Sequence, residues 1–70
     1  MNATAYFISD RAQSLVYEAL KFPETAEMAI AWLGRAMDWA QSQKLTAIEN
    51  TLNRHLLSIV ANLRATNRAA

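Results

Sequence analysis

The sequence predicts an all-α chain of three helices, either a short helical bundle or a helical hairpin with a flanking helix, that dimerises. Three observations carry this. Apolar residues recur at i, i+3, i+4 and i+7 in three successive stretches. With one glycine and one proline, the chain lacks the turn chemistry of a strand-rich fold. And 70 residues, 53% of them hydrophobic, allow one domain spanning residues 1–70 with a marginal core, the size at which oligomerisation commonly completes the burial.

The first stretch runs to Phe22. Ala5, Ile8, Ala12, Leu15, Val16, Ala19 and Leu20 keep a helical period, so a helix is expected over Ala5–Lys21. Ser9–Asp10 offers a later start, with the acid where the helix dipole favours it. Tyr6 and Phe7 are expected to cover one end of the core. Pro23 restricts Phe22 to extended backbone and ends the helix near Lys21. It also suits the first turn of a following helix, joined by Glu24 and Glu27. So short a link makes the first two helices neighbours, antiparallel or steeply crossed.

The second helix, expected over Glu24–Gln41, is the one the others are arranged to cover. Ala26, Ala29, Ile30, Leu33, Ala36, Met37 and Ala40 form one stripe, and Met28, Trp32 and Trp39 a second, centred roughly 120° away. A helix packed on one neighbour needs only about a 100° stripe, so this one has two surfaces to bury. The alanines of the first let another backbone come close. The tryptophans of the second could each bury on the order of 200 Å². Arg35 follows Trp32 by three residues and precedes Trp39 by four, within reach of either indole face, with Asp38 competing for its charge. Met28, Trp32, Arg35 and Trp39 are therefore the expected protein interface, against the alternative that both tryptophans complete a three-helix core. Gly34, inside this helix, costs about 1 kcal/mol relative to alanine, which points either to a close helix approach or to a bend.

A break is expected between Gln41 and Thr46. Leu45, Ile48, Leu52, Leu56, Ile59 and Leu63 form a third stripe, rotated by roughly 120° from the first on one continuous helix. Thr46 and Glu49 match a capping box. The third helix is thus expected over Ala47–Thr66, fraying into Asn67–Ala70. Leu57 projects opposite its stripe and joins the expected interface.

Charge divides unevenly. Residues 1–43 hold three cations and five acids, net −2, and residues 44–70 hold four cations and one acid, net +3. Complementary helices explain this, with cations near the C-terminus of the third helix. The alternative is a nucleic-acid-binding regulator of helix-turn-helix outline. Asn53, Arg54, Arg64 and Arg68 would then be the contacts, in the company of Thr51 and His55. A pI of 8.2 falls short of a strongly basic domain, and the turn lacks its usual glycine.

Chemistry is sparse. Without cysteine there is no disulfide, thiolate metal site or thiol nucleophile. His55 has no Cys or second His with which to hold zinc, and no Ser or Asp in a pairing context. The six acids are scattered, and one glycine excludes phosphate-cradling loops. No catalytic, cofactor or metal site is expected, and no enzymatic activity. The longest uncharged runs are about nine residues, against the ~20 that cross a bilayer, and the N-terminus does not read as a secretion signal. The expectation is a cytoplasmic interaction module (adaptor, regulator or inhibitor) that binds itself or another protein and no membrane.

Overall fold

The computed structural model describes the backbone of residues 3–69 and the side chains of residues 3–66. It is all-α, with helices α1 (Ala3–Lys21), α2 (Ala26–Ser42) and α3 (Thr46–Ala69), and a 3-10 turn over Pro23–Thr25 between the first two. Each helix packs on both others. The Cα extents are 43 × 16 × 15 Å. A 17-residue helix such as α2 is about 26 Å long, too long to lie across that section. The helices therefore run along the rod, up, down and up, which selects the antiparallel arrangement over the steep crossing.

The core follows the stripes. Ala5, Ala12 and Ala19 are buried on α1 at seven-residue intervals, as are Ala26, Leu33 and Ala40 and also Ala29 and Ala36 on α2, and Leu52 and Ile59 on α3. A seven-residue repeat keeps one seam facing its partners along helices that coil gently around each other. The residues are unevenly sized. Of the fully buried side chains only Leu33, Leu52 and Ile59 are large, and Ile8, Leu15, Ile30, Met37, Leu45, Ile48, Leu56 and Leu63 close the core from its edges. Two of the three large ones belong to α3, which fills the trough between two alanine-lined helices.

The ends depart from expectation in ways that have local causes. α1 starts at Ala3, two residues early. Phe22 takes φ −125° and ψ 88°, the extended state that Pro23 demands. The Thr25 N–H and hydroxyl both donate to the Phe22 carbonyl, at 2.9 and 2.8 Å, so α2 proper begins at Ala26 and not at Glu24. The capping box at Thr46 does not form. The Leu45 carbonyl already accepts from the Glu49 N–H at 3.0 Å, which makes Leu45 the cap and Thr46 the first helical residue. α3 continues beyond Thr66 to Ala69.

The α2–α3 turn is a Schellman closure. The Leu45 N–H donates to the Ala40 carbonyl at 2.9 Å and the Lys44 N–H to the Gln41 carbonyl at 3.0 Å. The left-handed residue this motif requires is normally glycine or asparagine; here it is Lys44, with φ 58°. A Cβ in that conformation costs roughly 1–2 kcal/mol.

Candidate interaction surface

α2 and its neighbours divide the expected interface residues. Met28 is 77% exposed and Arg35 is exposed, whereas Trp32 and Trp39 are partly buried and packed against the core. Each indole thus serves both the bundle and its surface. Among the described residues Arg35 stacks on neither tryptophan and forms no ion pair with Asp38, so the expected Trp–Arg–Trp cluster is not assembled in the single chain. Leu57 on α3 is 57% exposed, as its projection requires.

Tyr6 and Phe7 do not cover the core end. They are 70% and 65% exposed, because a helix that begins at Ala3 and buries Ala5 and Ala12 turns positions 6 and 7 away from that stripe. Nor does Gly34 mark a close approach: a Cβ built there would meet nothing within 4 Å. No positive φ requires glycine there either.

A second cluster was missed by the sequence reading. Tyr17, Leu20 and Phe22 are all substantially exposed, and the Lys21 ammonium lies 6.0 Å from the Tyr17 ring centre and 5.7 Å from that of Phe22. Lys21 at i+4 from Tyr17 was the available signal. Met28 lies in the first turn of α2, just past Pro23, and Leu57 stands about as far from the α2–α3 turn as Met28 does. Tyr17, Leu20, Phe22 and Met28 are thus exposed apolar residues on either side of the Pro23 corner, and Leu57 is exposed on α3.

The nucleic-acid set is less coherent. Asn53, Arg54 and Arg64 are exposed on α3, but Arg54 projects roughly 90° from the line that Asn53 and Arg64 share. The Arg68 side chain lies outside the described residues. α2 and α3 run antiparallel, not at the 90–120° of a helix-turn-helix. His55 is partly buried on α3. Among the described residues no three His, Cys, Asp or Glu side chains gather in a metal-binding group, and no helix is long and apolar enough to cross a membrane.

The accessible surface is 5095 Å², against about 4,400 Å² for a compact monomer of this mass. The rod shape and the exposed aromatic residues both contribute. No family model, no curated protein and no solved structure matches the chain.

Proposed function

We propose that this chain is a non-enzymatic helical interaction module that works as a homodimer, with a second copy covering the Met28–Trp32–Trp39 side of α2. The observation that carries it is the state of the two tryptophans: large side chains at seven-residue spacing on the central helix, packed on the core yet partly open to solvent. Exposed surface in excess of a compact monomer supports the same reading. So does a core whose buried positions are mostly alanine, which yields little apolar burial per residue. The cysteine-free composition fits action in a reducing compartment such as the cytoplasm.

Light scattering behind a sizing column, at two concentrations, tests the reading. The expected mass is twice 7.8 kDa, with Trp32→Ala plus Trp39→Ala shifting it to 7.8 kDa while most helical signal remains. A wild-type mass of 7.8 kDa at both concentrations overturns the homodimer. A double variant that unfolds as a monomer overturns the tryptophan face as the contact.

A further inference from the structure

The α2–α3 turn reverses the chain without a residue suited to reversal. Lys44 carries a Cβ at φ 58°, and no glycine or proline lies between Gly34 and the last residue. Ser42, Gln43, Lys44 and Leu45 are all able to continue a helix. The Ser42 hydroxyl, which donates to the Trp39 carbonyl at 2.7 Å, makes a bond that an uninterrupted helix also accommodates.

We propose that this turn opens, that Gln43–Leu45 join α2 and α3 into one helix, and that α3 then packs on α1 and α2 of a second copy, which returns its own α3 in exchange. The proposal rests on the homodimer reading and specifies how the two copies pair. The seat that α3 leaves is the seat it finds, so Leu52 and Ile59 regain the same burial in the partner. Opening releases the left-handed Lys44, and its N–H and that of Leu45 pass from the Schellman bonds to ordinary i→i−4 bonds.

The hydrophobic phase also favours exchange. On a continuous helix the stripe of α3 is rotated by roughly 120° from that of α2. Within one bundle that rotation would face α3 away from its core. After exchange it is what lets the two halves of a long helix serve two different bundles. Trp39, four residues before Gln43, stands beside the crossing of the two long helices, where its open surface is covered by the second copy.

Two substitutions bias the turn in opposite directions. Lys44→Gly adopts φ 58° freely and favours the closed monomer, whereas Lys44→Val opposes it and tolerates a helix. The dimer dissociation constant, measured by light scattering, is expected to rise about tenfold or more for the first and to fall for the second. The absence of native cysteine permits spin labels at Ala31→Cys and Arg54→Cys, both exposed and at similar heights above the turn. The doubly labelled chain is refolded with excess unlabelled chain, so that only distances within one chain are read. The closed hairpin keeps the pair within about 20 Å, while 23 residues of continuous helix set them about 35 Å apart. A dimer with the long distance and the expected response at Lys44 supports exchange. A dimer with the short distance, or one indifferent to both Lys44 variants, overturns exchange and leaves the homodimer standing. A monomer throughout overturns both.

Discussion

The Leu45 amide is bonded to the Ala40 carbonyl at 2.9 Å, and both residues also contribute to the same core, Ala40 fully buried and Leu45 packed against it from the edge. The last core position of α2 is thus tied to the residue that caps α3 by backbone and side chain together. That double tie fixes the direction of α3 and leaves the conformational cost on the residue between them, Lys44.

Replacing Lys44 by glycine therefore stabilises the folded chain by about 1 kcal/mol, less than the full left-handed penalty because glycine also loosens the unfolded state. Urea titration at a concentration low enough to keep the chain monomeric checks it. The midpoint should rise with the slope unchanged. Asparagine at this position should give a smaller gain.

Gly34→Ala is expected to add about 1 kcal/mol by helix propensity, since the new methyl meets open space within α2. Thermal unfolding gives the readout, about 4–8 °C of midpoint per kcal/mol at this size. A loss of stability would mean that something approaches Gly34 that a single chain does not contain.

The alanine seam should tolerate enlargement badly. Ala12 and Ala40 are fully buried between helices held within a section of 16 × 15 Å. Ala12→Leu should cost roughly 1–3 kcal/mol by overpacking, in the same range as the 2–5 kcal/mol of the opposite change, Leu52→Ala, which leaves a cavity. Denaturation of the two variants side by side distinguishes a filled seam from a loose one.

Tyr6→Ser and Phe7→Ser should each change stability by no more than about 0.5 kcal/mol, the range of surface substitutions, because both rings are largely in solvent. A cost of 2 kcal/mol or more from either would place that ring in the core after all.

The residues that define the fold were legible because a helical stripe is a pattern in the sequence itself. Ala26, Ala29, Leu33, Ala36 and Ala40 are all buried, and Ile30 and Met37 flank them. The end of α1 was legible because Pro23 is a steric statement. What was not legible depends on competition. Thr46 matches a capping box, but the Leu45 carbonyl takes the first helical bond one residue earlier. Lys44 gives no sign in sequence of a left-handed backbone; the burial of α3 against α1 and α2 imposes it. Tyr6 and Phe7 look like core residues by type, but the stripe through Ala5 and Ala12 turns both positions away from the core. The exposed Tyr17–Phe22 group was hidden for a different reason: Lys21 reaches both rings only because Phe22 leaves the helix before Pro23.

The alanines spaced along α1 have one more effect. Helices usually lock lengthwise because bulky side chains act as teeth that fit between those opposite. Ala5, Ala12 and Ala19 offer almost no teeth; Val16 is the one larger residue among the fully inward positions of α1. The lengthwise position of α1 therefore rests on few contacts: Val16 within the seam, Ile8 and Leu15 at its edges, and the Phe22–Pro23 corner, where Thr25 donates two bonds to the Phe22 carbonyl.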